Sequence, residues 1–570
     1  MMNQSSLFRN RHTQLAFAAM IIVLIITYIP WLGLTDFNTK GEPREAIVAL
    51  SMIQSDNYIL PVSMGVDIPY KPPFLAWLIV GASHLTNGIN EFASRLPSAI
   101  SAIILSIGIA LFYTRRKGLF IGIATALIFS TSIEVWRAAM ACRVDMTLTA
   151  CMVGALLLLQ LRYTQKGVSG ISWGAVLLMT GAMLTKGPVG IILPCLVMMI
   201  YYLARGEQFL QAFLWLSLTA VMATIVPAIW YAAAIGQGGD TFINLVIEEN
   251  FGRFLGKMSY DSHVNPWWYN FVTLAAGMLP YTLVAVIALF ATRINCLAKP
   301  TLSKWRQRLA GMDKTELFNI TVIAVIFIFY CIPKSKRSVY LLPIYPFVAY
   351  YICLLLKWLY YNHHRLSNIY TILITTVSIA ISAATVIPVT GLLPDVSLWS
   401  RFIAIFPVSA AIATLYFIKR HDYKVVMMSI IVTTASIFWL VSGSLLPAIL
   451  NQKSDRHVAL TLQQLVSPGE PIYTSIDDPM LRYYTIGFYT GDRLRLFDKP
   501  TTGASATLQI NAPVSTDGWL ITAPQNLPKL REQHPGLTFK TAVNPGHRSC
   551  DTRDSVVIVR FYPRQPESQF

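Results

Sequence analysis

Lys334, Lys336 and Arg337 stand within four positions of one another, in the segment Pro333 to Pro343 between two apolar stretches. Ammonium and guanidinium groups gathered so tightly are what a phosphate or pyrophosphate clamp needs, because charge-assisted hydrogen bonds to oxyanions are short and strong. Tyr340 follows in the same segment. A second group of charges lies at 40–45, Lys-Gly-Glu-Pro-Arg-Glu, which puts Glu42, Arg44 and Glu45 just past the first apolar block. Lys71 comes soon after, in Ile-Pro-Tyr-Lys-Pro-Pro at 68–73. Arg143 and Asp145 open another apolar block, Lys186 sits in the turn Leu-Thr-Lys-Gly-Pro, and Arg253 ends the run Glu-Glu-Asn-Phe-Gly-Arg. Carboxylates and cations converging on one cleft would bind an anionic substrate and position or deprotonate an acceptor.

Each residue also has a plainer reading. Glu42 and Arg44 fit an interfacial salt bridge. Lys71 and Lys186 fit side chains that snorkel to the membrane boundary. Asp145 fits an ion pair joining two helices, although a charge so near hydrocarbon costs several kcal/mol unless paired or solvated. The Trp267 and Trp268 pair fits an interfacial aromatic belt.

The elements that must hold these residues are set by composition. The 570 residues are 54% hydrophobic and 13% charged, with a mean hydropathy of +0.53; soluble domains carry about a quarter charged residues. The apolar residues come in blocks long enough to cross a bilayer, among them Leu15 to Leu34, Trp267 to Ala291 and Val425 to Leu446. Hydropathy places thirteen spans, near 15–34, 93–113, 119–133, 144–162, 171–184, 187–203, 212–234, 267–291, 317–333, 338–358, 368–391, 399–418 and 424–446.

An odd number of spans sends the two termini to opposite faces, and the loop charges agree with a cytoplasmic amino terminus. The loops then inside carry Arg115, Arg116 and Lys117; Arg162 and Lys166; Arg205; the run Arg293 to Lys314; Lys357 and Arg365; and Lys419, Arg420 and Lys424. They supply much of the +17 net charge, so topology and lipid headgroups explain the basicity, and nucleic acid is not an expected partner. The cations named at the start fall on the other face, where this tendency offers no reason for them. The first block follows Arg9 and Arg11 without a clear cleavage site and reads as a retained signal anchor.

Two stretches depart from the helical pattern. Residues 35–92 form a long outer loop with amphipathic runs, and 448–570 form a polar tail with strand-like pieces at 472–475, 518–521 and 556–561. The expected division is a transmembrane domain over 1–447 and a small α/β domain over 448–570. The seven cysteines are scattered without disulfide or metal spacing.

The order of these motifs resembles the GT-C glycosyltransferases, in particular the lipid A 4-amino-4-deoxy-L-arabinose transferases and their protein O-mannosyltransferase relatives. Glu42-Pro43-Arg44 is similar to the family's acidic pair followed by x-Arg, Tyr70-Lys71-Pro72 to its Glu-Lys-Pro, Asp145 to its outer-face Asp, Lys186 to its Thr-Lys-Gly turn, and 334–343 to its Lys-x-Lys…Tyr-x-Leu segment. The chain departs at three positions: Gly41 stands where the acidic pair opens, Tyr70 where a Glu precedes Lys-Pro, and Asn250 where the family has His. Tyr70 and Asn250 replace two positions able to ligand a divalent metal, so no family-type metal site is expected.

The resemblance implies an all-α polytopic fold with a periplasmic α/β domain, in a bacterial inner membrane. It implies a sugar donor carried on undecaprenyl phosphate, whose phosphate is held by Arg44, Lys71, Lys186, Arg253, Lys334, Lys336, Arg337 and Tyr340. Lipid A or another envelope glycolipid would be the acceptor, and Glu42 and Asp145 the catalytic carboxylates. A protein acceptor, as in O-mannosylation, is the alternative within this class. A flippase for anionic lipids is the alternative outside it, and would predict internal repeats, which the sequence does not show.

Overall fold

The computed structural model describes residues 10–252, 264–291, 312–386, 398–420, 422–476, 481–497 and 517–564. These residues form two compact units. The first comprises 1–32, 95–229 and 250–448; the second comprises 33–94, 230–249 and 449–570. The long loop expected at 35–92 therefore groups with the tail.

The first unit is a helical bundle. Among the described residues, nine helices are long and apolar enough to cross a membrane, or eleven if two bent pairs each count as one span. Leu119–Ser130 and Ile133–Ala139 meet at 69°, and Tyr269–Gly277 and Thr282–Ala291 at 105°. The thirteen spans read from hydropathy are not reproduced by these criteria. The reason lies in Trp173–Lys186 and Val189–Ala204, which have 14 and 16 residues. At 1.5 Å per residue they run only about 21 to 24 Å against a hydrocarbon core of about 30 Å.

Large apolar side chains are exposed along Phe209–Ile247, including Phe213, Leu214, Val221, Ile225 and Ile229. In water so long an apolar stripe would aggregate; in lipid it is the expected outer surface. The chain is a multi-pass membrane protein.

The second unit holds a five-stranded sheet. Its strands are β1 (Ile472–Ser475), β2 (Leu494–Leu496), β3 (Gly518–Thr522), β4 (Leu537–Val543) and β5 (Val557–Pro563), in the order β2-β1-β3-β5-β4. β2, β1 and β3 are parallel, and β5 and β4 are antiparallel. Alternate residues face opposite sides of a strand. Leu520, Val557, Val559 and Phe561 accordingly join one core with Phe497, Leu527 and Phe539. Ile521 and Ile558 join another, with Val458, Leu462 and Ile486. That second core also takes Ile47 and Met64 from the first outer loop.

Three further contacts tie that loop to the sheet domain. Asp67 accepts two hydrogen bonds from Arg482, at 3.0 and 3.1 Å. Asp492 accepts from Ser51 Oγ at 2.9 Å and from the Met64 amide at 2.6 Å. Arg456 pairs with Asp36 at 2.7 Å.

Candidate active site

Within the first unit, the helix Val144–Lys166 begins with Asp145 in its first turn, where the free amides and the helix dipole favour a carboxylate. The helix Trp173–Lys186 ends at Lys186 because Gly187 adopts φ +86°, a conformation that glycine enters without steric cost. The two charges meet: Lys186 Nζ lies 2.8 Å from Asp145 Oδ1, with the Asp145 side chain 7% exposed. Lys186 also sits 4.5 Å above the Tyr340 ring. Tyr340 stacks in turn on Tyr330, with centroids 5.2 Å apart. An ammonium held between a buried carboxylate and an aromatic face is fixed in place without being consumed, and its remaining hydrogens can meet an anion.

The neighbouring segment divides the three cations that the sequence grouped together. Lys336 is buried, and its Nζ donates to the carbonyls of Pro333 at 2.7 Å and Asn265 at 3.3 Å. Asn265 returns the contact through Nδ2 to the Lys336 carbonyl at 3.0 Å. Its ammonium therefore staples two segments together. Lys334 is exposed and Arg337 half-buried, and neither has an ion-pair partner among the described residues. Arg253 lies outside the described residues.

Sequence reasoning missed one pair here. Glu134 and Arg137 occupy the short helix Ile133–Ala139, joined by contacts of 3.0 and 2.6 Å. The available signal was a Glu and an Arg three apart in the short segment between the apolar blocks at 119–133 and 144–162, a spacing that pairs them on one helix face.

In the second unit, Pro43 opens the helix Pro43–Ser55, with its ring φ preset for a first helical residue; Glu42 stands at the N-cap position, and its side chain makes no capping hydrogen bond. The carboxylate brought against Lys71 is Glu45, in close ion-paired contact, and not Glu42. Arg44 Nη2 lies 3.8 Å from Glu45 Oε1. The Tyr70 ring carries both cations, Arg44 at 4.8 Å and Lys71 at 5.3 Å from its centroid. Burial works against the charge on Arg44, but Tyr70, Glu45, Tyr484 and Glu249 outweigh it and raise its pKa. Glu45 and Lys71 also line a small cavity with Met52, Ile59 and Leu75. The residue at the family's Glu position is thus an aromatic ring flanked by two cations, and it offers no carboxylate to a divalent ion.

Comparison with known proteins adds to this geometry. Residues 70–231 match the family described as dolichyl-phosphate-mannose-protein mannosyltransferase. The chain resembles the GT-C glycosyltransferases. It is 24% identical, over 59% of its length, to undecaprenyl phosphate-alpha-4-amino-4-deoxy-L-arabinose arabinosyl transferase 2 of Proteus mirabilis, and 23% identical, over 54%, to the arabinosyl transferase of an Enterobacter species. The matched regions span 58% and 53% of those two enzymes. The fold is that of ArnT from Cupriavidus metallidurans crystallised with undecaprenyl phosphate. The TM-score is 0.69 at 19% identity, covering 96% of this chain and 97% of that one.

Proposed function

We propose that this protein is an integral membrane glycosyltransferase that moves a sugar from a polyprenyl phosphate to lipid A or another envelope glycolipid. The single observation that carries this reading is Lys186, held 2.8 Å from buried Asp145 and 4.5 Å above Tyr340. That is a fixed cation with capacity left for an oxyanion. The solved ArnT crystal with undecaprenyl phosphate supplies the matching substrate class. The face bearing this site is the periplasmic one and the membrane the bacterial inner membrane, on the support of the basic loops at Arg115 to Lys117, Arg162 to Lys166 and Lys419 to Lys424.

The reaction is a single displacement with inversion. An acceptor oxygen forms a bond to the anomeric carbon as the bond from that carbon to the phosphate oxygen breaks, and the electron pair leaves on polyprenyl phosphate. In the first unit Lys186 stabilises the growing charge, with Lys334, Arg337 and Arg253 as further holders and Tyr340 as the ring beneath Lys186; in the second unit Lys71 and Arg44 are the candidate anion holders. Lys336 positions the 333–340 segment through its carbonyl contacts. Asp145 Oδ1 is already engaged by Lys186, which gives Asp145 a positioning role and favours an acceptor that needs no proton removed. A lipid A phosphate, anionic at neutral pH, is such an acceptor. Glu42 and Glu45 are the carboxylates for a hydroxyl acceptor, the case that the match to protein mannosyltransferases at 70–231 keeps in view.

The test is mass spectrometry of lipid A from isogenic cells lacking the gene and complemented with wild type, Lys186→Ala or Asp145→Asn. A sugar-sized mass present only with wild type supports the proposal. Unchanged lipid A in the null strain overturns lipid A as acceptor, and full activity in both variants overturns the site.

A further inference from the structure

The Glu134 and Arg137 pair has features that a simple helix-surface salt bridge lacks. Its helix follows a 69° break after Ser130. Glu134 is 5% exposed, and its oxygens are engaged by Arg137 Nε and Nη2 at 3.0 and 2.6 Å. A buried carboxylate used this way fixes the plane of the guanidinium. The Arg137 side chain is 45% exposed, and Nη2 also reaches Ser338 Oγ at 3.3 Å. Its Nη1 makes no hydrogen bond among the described residues, so one edge of an oriented, permanently charged fork is left open.

A second observation points to a ligand at the same place. The Tyr345 hydroxyl is fully buried and has no hydrogen-bond partner among the described residues. It lies beside Glu134: a Cβ built on Gly277 would come within 2.0 Å of that hydroxyl and 2.8 Å of Glu134 Cβ. A buried hydroxyl left without a partner is unfavourable unless a ligand or water supplies one. Ser338 is flanked by Arg337, a cation with no partner among the described residues.

We infer that Arg137, oriented by Glu134 and beside Ser338 and Tyr345, binds a lipid-borne phosphate, within electrostatic reach of Asp145. The proposal rests on the glycosyltransferase reading for the identity of that lipid. The phosphate belongs either to the sugar carrier or to the acceptor, and a reaction between two phosphorylated lipids needs a cation for each.

The test uses the full-length protein in lipid nanodiscs, with native mass spectrometry and titration against three probes: undecaprenyl phosphate, lipid A and uncharged undecaprenol. Arg137→Ala is expected to weaken one of the two phosphorylated lipids about tenfold or more, the scale of a lost charge-assisted contact, and to leave undecaprenol unchanged. The affected lipid identifies the carrier or the acceptor as the occupant. Glu134→Gln, which keeps the cation, is expected to retain binding within a few-fold. Unchanged affinity for both phosphates in Arg137→Ala, or an equal loss for undecaprenol, overturns the proposal. Should the wild type bind phosphate in this Arg137-dependent way yet transfer no sugar, the glycosyltransferase reading falls and the anion site stands.

Discussion

Lys186 and Lys336 carry the same ammonium on the same four-carbon stem, and what each does follows from what it faces. Lys336 meets two carbonyls and is satisfied by them; Lys186 meets a carboxylate and a ring and keeps hydrogens to offer. Asp551, in the sheet domain, shows a burial effect with a measurable consequence. It accepts from the Thr485 amide and hydroxyl at 2.7 and 3.1 Å. Burial, reinforced by nearby Asp455, nonetheless pushes its pKa up to about 7. The folded protein therefore holds this proton more tightly than the unfolded chain, whose carboxyl titrates near 4. Between about pH 4 and pH 7, raising the pH favours the unfolded state. Thermal unfolding of the wild type should thus show a stability loss on passing from pH 5 to pH 8 that is smaller in Asp551→Asn, which mimics the protonated acid. Equal pH dependence in the two proteins would rule this out.

At the scale of elements, the hairpin of Trp173–Lys186 and Val189–Ala204 positions Lys186, and two glycines make it possible. Gly187 ends the first helix at φ +86°. Gly190 lets the second pack against the first so closely that an added Cβ would lie 2.5 Å from the Ala182 carbonyl carbon and 2.7 Å from the Met183 nitrogen. Backbone cannot move aside as a side-chain tip can, so Gly190→Ala should destabilise by about 1 to 3 kcal/mol and lower transfer activity with it. Gly81→Ala, with open space around the added methyl, should leave the melting temperature unchanged or slightly raised. Equal melting temperatures for the two variants would refute the packing argument.

Legibility at this scale tracked the strength of the local signal. The strands β1, β3 and β5 were readable from their apolar runs. β2 has only three residues, and β4 lies at an edge with most of its side chains in contact with solvent, so neither carries a pattern. Asp145 and Lys186 were readable as charges in the wrong medium. Their pairing across 41 positions, and the choice of Glu45 over Glu42 by Lys71, depend on how helices are turned, which spacing does not encode.

At the scale of the molecule, the second unit is assembled from segments far apart in the chain, and its polar ties are long-range. Arg482 and Asp67 are 415 positions apart, with side chains 7% and 13% exposed. The segment that Asp67 anchors leads directly to Tyr70 and Lys71, so the sheet domain helps to place a proposed phosphate-holding residue. Breaking a buried pair from one side leaves the other charge desolvated, at about 3 to 5 kcal/mol. Arg482→Met should therefore lower the unfolding temperature strongly and raise the KM for the polyprenyl donor. Adding Asp67→Asn removes the stranded charge, so the double variant should be more stable than Arg482→Met alone, with the coupling read from a double-mutant cycle. Strictly additive losses would mean that the two side chains do not depend on each other, and that the domain positions Lys71 through its apolar contacts at Ile47 and Met64 instead.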